Sequence, residues 1–358
     1  MSISKITSPA DSDLTRLAVS LRELADCAGD EEWPSEQLAM CGECGVFEWF
    51  FSPDSGGQGW SDADIFRGYL ELSAACLTTV FVITQRTGAC RRIEVAESDA
   101  ARDAYLPGLL SGEVFATVGI SHLTTSRRHL AKPVLRAEQT PTGFVLDGFS
   151  PWVTGAAYAD VVVTGATMDD GHQILVALPM DLGGVFVPAA ARLVGLSGSQ
   201  TGPIELDRVQ VDSKWLLAGP TEGVMSQASG ANTGGLQTSA LAIGLARAAI
   251  AFIEEESTKR ADLTRPADTF REDWSRLRDD LLRLADGEPV CSNDALRTNA
   301  NNLVLRATQA ALATAKGTGY LANHSVGRWC KESLFFLVWS CPQSVMNAHL
   351  CELAGISD

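Results

Sequence analysis

The chain predicts an α+β protein of several domains: an N-terminal helical domain, a central β-barrel and a C-terminal helical bundle. Two observations predict it. Apolar residues recur at helical spacing up to about Gly112, alternate at strand spacing from Phe115 to Val211, and return to helical spacing afterwards. Gly and Asp turns also punctuate the middle region at short intervals, as a barrel or sandwich requires. The expected domains are residues 1–113, 114–218 and 219–358. Helices, then about 100 residues of strand, then helices place a small β unit between two helical ones, and large ligands often bind at such interfaces.

The N-terminal elements come in order. Leu14, Leu17, Ala18, Leu21 and Leu24 mark a helix over Asp13 to Ala25, and a second runs from Ser35 to Gly42. Gly56-Gly57-Gln58-Gly59 is a loop, and Ser61 or Asp62 caps the next helix. Asp62 to Arg91 is apolar and rich in small residues, which predicts two packed helices. Glu97 to Leu110 is another helix, broken at Pro107.

In the middle region, Val134, Phe144-Val145, Val161 to Val163, Ile174 to Leu178, Val185 to Val187 and Ile204 to Val211 predict strands, with Pro179 to Gly184 a loop. After Trp215 the helical period returns. Leu236 to Lys259, Trp274 to Ala285 and Ala295 to Lys316 are helices, Gly317-Thr318-Gly319 is a break, Lys331 to Trp339 is a short apolar element, and Gln343 to Leu353 is a last helix.

Composition narrows the function. The 358 residues carry 28 Lys and Arg against 44 Asp and Glu, a formal charge of −16. That balance argues against nucleic acid, whose phosphates need local basicity. Apolar runs such as Leu334 to Val338 are far shorter than a membrane span. Met1 to Thr15 has no long apolar run and includes Asp11 and Asp13, unlike a signal or transit peptide. Nine scattered cysteines suggest reduced thiols in a cytoplasmic protein. Cys41 and Cys44 form a single C-x-x-C with no second pair, so no metal site is expected.

Six motifs, in order, resemble the acyl-CoA dehydrogenase family over nearly the whole chain. Gly56-Gly57-Gln58-Gly59 is similar to its GG-x-G loop. Leu106-Pro107-Gly108-Leu109-Leu110-Ser111-Gly112-Glu113 is similar to LP-x-L-x-x-GE. Trp152-Val153-Thr154-Gly155-Ala156 resembles W-I-T-N/G-A, and Ala159-Asp160 the AD just after it. Leu206 to Val211 resembles F-D-x-V-x-V, and Gly244 to Ala249 resembles G-x-A-R-A-A. The resemblance implies FAD, an acyl thioester such as a CoA ester as substrate, and a homodimer or homotetramer.

It also implies site residues. Ile120 and Ser121 would lie along the isoalloxazine ring, with Ser121 at its N1–O2 edge. Trp152 would pack on the ring, although a barrel-core aromatic is the other reading. Thr154 would bond near N5. Arg260 matches the arginine that reaches a neighbouring subunit's FAD pyrophosphate, though the usual FG after it is absent. Gly317 matches a GG-x-G turn approaching that FAD, with Lys316 in place of the preceding glycine, and reads equally as a helix C-cap.

Two departures matter. The family's flavin loop reads T-E-P-x-A-G-S-D; here it is Ser121 to Arg128, with His122 for the acid and Arg127 for the serine on pyrophosphate. Arg127, Arg128, His129, Lys132 and Arg136 form a basic patch, either an anion site for FAD or CoA phosphates or a solvated loop. The second departure is the carboxylate that removes the α-proton. One family position falls at Ser340, where no acid occurs from Ser333 to Cys351. The other falls near Gly234, where none occurs from Gly223 to Ile253. Glu332, with Lys331, holds the family's R-D position and should face an arginine or lysine. His122, His324 and His349 remain as titratable candidates, His122 the nearest to the flavin by resemblance. Three functions stay open: a flavin-dependent oxidoreductase on an acyl thioester lacking the usual Glu base, a flavin monooxygenase or oxidase on the same scaffold, and a non-catalytic FAD- or CoA-binding relative.

Overall fold

The computed structural model describes residues 3–356 apart from 28, 30, 97, 125–132 and 228–234. Five helices come first: α1 (Ser12–Cys27), α2 (Ser35–Glu43), α3 (Asp62–Ala75), α4 (Leu77–Glu94) and α5 (Asp99–Ser111). Ser61 caps α3, its Oγ accepting from the Asp64 N–H at 3.2 Å. The expected break at Pro107 does not occur, and α5 runs through it. The carbonyl that loses a partner to Pro107 is that of Asp103, which is exposed and can meet water. The end of α5 is pinned by Arg86 of α4, which is fully buried, donates to the Leu109 carbonyl and lies 3.9 Å from the Phe47 ring centroid.

The β region comprises β1 (Ala116–Gly119), a one-turn helix α6 (Ser121–Thr124), β2 (Leu135–Thr140), β3 (Gly143–Val153), β4 (Val161–Thr167), β5 (Gln173–Pro179), β6 (Val185–Phe186), β7 (Gly202–Asp212) and β8 (Leu216–Thr221). They form one mixed sheet in the order β6-β7-β3-β2-β4-β5-β8, with β1 parallel to β4. Alternate residues sort the faces. Phe144 and Leu146 of β3, Ile204 and Val209 of β7, and Val162, Ile174 and Val176 of β4 and β5 share one interior. Val161, Val163, Leu175 and Ala177 face the other way, onto Ala89 and Ile93 of α4 and Leu109 of α5. This second face ties the sheet to the N-terminal helices. β8 lies beyond the predicted return to helix after Trp215; Gly219 and Pro220 hide it in the sequence, and Pro is tolerated there because β8 is an edge strand.

The last helices are α7 (Val224–Gln227), α8 (Leu236–Ser257), α9 (Thr264–Ala285), α10 (Asn293–Ala315), α11 (Ser325–Ser333) and α12 (Gln343–Leu353). α9 starts ten residues before the predicted Trp274. Its first turns are polar, burying only Ala267 before Leu277, and Pro266 sits in the first turn, where its missing N–H costs nothing. The apolar element after Lys331 is the end of α11 followed by a 3₁₀ turn, Leu334–Leu337. α8 is long and apolar enough to cross a membrane, unlike the short runs singled out in the sequence, but most of it is buried against α3, α9 and α10. Gly244 permits the close approach to α3: a Cβ there would meet Ser73 Cβ at 2.7 Å and the Leu70 carbonyl oxygen at 2.9 Å.

Candidate active-site cleft

A cleft of about 120 Å³ opens where α4, the β1–α6 corner, the end of β3, the start of α8 and the segment after α11 meet. The corner contributes Val118, Ile120, Ser121 and Thr124, and β3 contributes Trp152. From α8 come Gln237 and Thr238, and opposite lie Trp339 and Ser340. Thus four of the residues singled out in the sequence, Ile120, Ser121, Trp152 and Ser340, share one cavity. Ser121 Oγ is buried there without a hydrogen-bond partner. The Trp152 indole is 49% exposed, an uncovered aromatic plane at the cleft. Ser340 is half-buried with φ +43°, a left-handed conformation few side chains adopt.

The other singled-out residues lie elsewhere. Thr154 is buried, and its hydroxyl bonds that of Thr201 at 2.9 Å, which bonds Ser199 at 2.8 Å. Arg260 donates to the Thr314 carbonyl at 3.0 Å, so it sits at the end of α10, three residues before exposed Gly317. Lys316 takes φ +55° and ψ −147°, a region suited to the glycine that the motif has there. Arg127, Arg128, His129, Lys132 and Gly234 lie outside the described residues. Arg136, the remaining basic residue of the patch, faces Asp147 at 3.5 Å on the surface.

No histidine lines the cleft among the described residues. His122 points away: Nε2 bonds the Gly165 carbonyl at 2.7 Å. Burial lowers its pKa, opposed by that bond, so the ring is a neutral donor. His349 is buried beside Asn301, whose amide Nδ2 donates to its Nε2 at 3.0 Å, and His324 caps α11. Glu332 is buried and lies 3.9 Å from Arg328, the basic partner its position implies. Arg328 is also held by Asp26 at 2.8 Å. No carboxylate lines the cleft among the described residues. Cys41 and Cys44 are buried free thiols, Cys41 pushed far up by burial, and among the described residues no three His, Cys, Asp or Glu group as a metal site.

Sequence reasoning missed the α4 wall, formed by Thr84, Gln85, Gly88 and Arg92. Thr84, Gly88 and Arg92 recur every four residues and so share a face, but α4 also carries Thr79, Arg86, Thr87, Arg91 and Glu94 elsewhere, so no polar stripe marks that face in the sequence.

Helices flanking a mixed sheet, with a cleft at their junction, make an acyl-CoA dehydrogenase-like fold. The family model described as acyl-CoA dehydrogenase, N-terminal domain, matches residues 18–113. The chain is 26% identical over 247 residues to the probable acyl-CoA dehydrogenase YngJ of Bacillus subtilis (strain 168), covering 67% of this chain and 64% of that one. The chain thus spans just under two thirds of this relative's length. Among solved structures, the glutaryl-coenzyme A dehydrogenase glutaryl-CoA complex superposes with a TM-score of 0.81 at 18% identity, covering 97% of this chain and 96% of the other. Dibenzothiophene monooxygenase (TdsC) of Paenibacillus sp. A11-2 does so with a TM-score of 0.75 at 16% identity, covering 96% of each.

Proposed function

We propose that the protein is a flavin-dependent oxidoreductase that holds FAD in this cleft and acts on an acyl thioester, such as a CoA ester. One observation carries the proposal: Ile120, Ser121, Trp152 and Ser340, distant in sequence, line a single cavity. The residues fit the cofactor. A buried hydroxyl without a partner beside an uncovered indole suits an aromatic ring with a polar edge. Bound FAD would supply a hydride acceptor. Ser121 would donate to its N1–O2 edge, Ile120 would lie along the ring, and Trp152 would cover it and exclude water. If the hydroxyl chain runs from Ser199 through Thr201 to Thr154, the Thr154 proton is left to donate onward. Arg260 and Gly317, adjacent at the end of α10, would reach the pyrophosphate of a second copy in a homodimer or tetramer, with Arg127 on the same group. Nine unpaired cysteines suit a reducing compartment such as the cytoplasm.

A second reading has its own support. No carboxylate lines the cleft among the described residues, and a dehydrogenase would need one there for α-proton removal. A monooxygenase or oxidase on this scaffold needs none, and a non-catalytic FAD- or CoA-binding protein needs none either. The test is to purify the protein, record its visible spectrum, add acyl-CoAs without oxygen, and monitor oxygen uptake with reduced flavin. Bleaching supports the dehydrogenase reading and oxygen uptake the second. A colourless protein that takes up no FAD refutes every flavin-dependent reading and leaves only a non-catalytic CoA-binding role.

A further inference from the structure

The segment after α11 forms one wall of the cleft, and its own burial does little to hold it. Leu334 and Val338 are exposed, Trp339, Ser340 and Cys341 are half-buried, and Ser340 takes φ +43°. Backbone sterics disfavour a left-handed serine, so surrounding contacts must hold it. The Trp339 ring is one anchor. It stacks on Phe335 with centroids 5.1 Å apart and meets Phe81 of α4 edge-on at 5.0 Å.

The backbone has a second anchor on α10. Arg297 and Asn301 are four residues apart and so share a face of that helix. Arg297 Nη2 donates to the Trp339 carbonyl at 2.9 Å, and Asn301 Nδ2 donates to the Phe336 carbonyl at 2.9 Å. Carbonyls at the end of a helix have no partner within it, and these two side chains supply one each. Arg297 is 3% exposed and Asn301 is fully buried. Burial lowers the pKa of Arg297 to about 10, which leaves it cationic at neutral pH. Its Nε and Nη1 have no partner among the described residues, so the bond to Trp339 is the one that fixes the guanidinium.

Asn301 is itself oriented. A carbonyl only accepts, so the amide must turn Nδ2 toward Phe336. The same Nδ2 lies 3.0 Å from Nε2 of His349 on α12, which therefore accepts. Both amide hydrogens are then used, and the group cannot flip without breaking both bonds. Burial lowers the pKa of His349, in keeping with a neutral ring that can accept there.

We infer that Arg297 and Asn301 are positioning residues for the cleft: through the carbonyls of Trp339 and Phe336 they fix the wall that carries Ser340 against the bound flavin. The inference rests on the reading above that places FAD in this cleft. Neither side chain lines the cavity, so each acts only through the backbone it holds.

The test compares the FAD-loaded protein with Arg297→Met, Arg297→Lys and Asn301→Leu, which nearly preserve the buried volume. Two signals are read: hydrogen–deuterium exchange of peptides spanning Leu334 to Pro342, and the visible circular dichroism of the flavin, which reports how the ring is held. In the unmodified protein the amides of Val338 and Trp339, which donate to the Phe335 carbonyl at 3.1 and 2.9 Å, should exchange slowly. Arg297→Met should speed that exchange roughly tenfold to hundredfold, the range expected for losing a hydrogen bond to a charged group. It should also alter the dichroism, while peptides from β3 and β5 exchange as before. Asn301→Leu should act in the same direction, and Arg297→Lys should recover part of both signals. Fast exchange in the unmodified protein overturns the inference, and so decides it even if a variant fails to fold. Unchanged exchange in Arg297→Met overturns the hold on the wall, and faster exchange in β3 and β5 as well overturns a local role. Faster local exchange with unchanged dichroism overturns the positioning role; if Trp152→Ala also leaves the dichroism unchanged, the cleft reading falls with it. An unmodified protein that takes up no FAD overturns both, and its lack of colour shows this before any variant is compared.

Discussion

Placing a carboxylate at position 340 is the sharpest test of the proposal that the cleft has no base of its own. Ser340 lines the cleft and already has φ +43°, so Ser340→Glu adds little backbone strain beyond what serine bears. A positioned general base is worth about 10²–10⁴-fold, which is about 2.7–5.4 kcal/mol at 1.36 kcal/mol per tenfold. Two features of the cleft reduce this. The longer side chain must share about 120 Å³ with the substrate, and a half-buried carboxylate is partly desolvated, which favours its neutral form. We therefore expect the lower end, about a 10²-fold faster anaerobic bleaching of bound flavin by a short acyl-CoA. The ionised carboxylate is the active form, so the rate of the variant should rise with pH and level off once the introduced carboxyl group is deprotonated. The unmodified protein should bleach slowly at every pH. Stopped-flow absorbance of the flavin reads both. Fast bleaching in the unmodified protein would refute the missing-base reading, as would a variant that binds thioester with no gain in rate.

The same geometry sets further expectations. Trp152→Ala and Ser121→Ala should each lower the flavin retained on purification, Trp152→Ala more, because it removes the larger apolar surface; full FAD content in both would place the ring elsewhere. Burial lowers the pKa of His122 and His349, so both are neutral in the fold and take up protons on unfolding. Their contribution is present above the unfolded value of about 6.5 and is lost as pH falls through that value toward their lower folded ones. His122→Leu should therefore flatten the fall in melting temperature between pH 7 and pH 5; an unchanged slope would assign the acid sensitivity to other groups. Lys316→Gly should stabilise the fold by about 1–3 kcal/mol, by relieving a conformation that favours glycine, and a denaturant titration with no gain would remove the strain assignment. Gly244→Ala should cost about 1–3 kcal/mol from overpacking against α3; a neutral result would mean that α3 and α8 separate without penalty.

Much of the architecture was legible before any coordinates. Leu14, Leu17 and Leu21 announce α1, and the paired apolar stretch after Ser61 announces α3 and α4, because a buried helical face must repeat with the turn of the helix. The alternation of β7 reads equally well, because successive side chains point to opposite faces of a strand, and β5 reads as an unbroken apolar run because both of its faces are buried. Elements with few buried residues were hidden. The start of α9 buries almost nothing, and β8 carries Gly219 and Pro220, so neither leaves a period to read. Pro107 was misread because local propensity forbids what the exposed Asp103 carbonyl and the Arg86 contact to Leu109 allow.

The candidate site divides in the same way. Ser121, Trp152 and the acid-free stretches around Ser340 and Gly234 were apparent from residue types and their order. The sequence alone could not say that Ser121 and Ser340 share one cavity, that the hydroxyl of Thr154 turns to Thr201, or that His122 turns to Gly165. Nor could it say that Arg92, one of two adjacent arginines in α4, is the one buried at the cleft. Periodicity records which face of an element is buried; what that face meets depends on packing between segments far apart in the chain, and only the tertiary structure decides it.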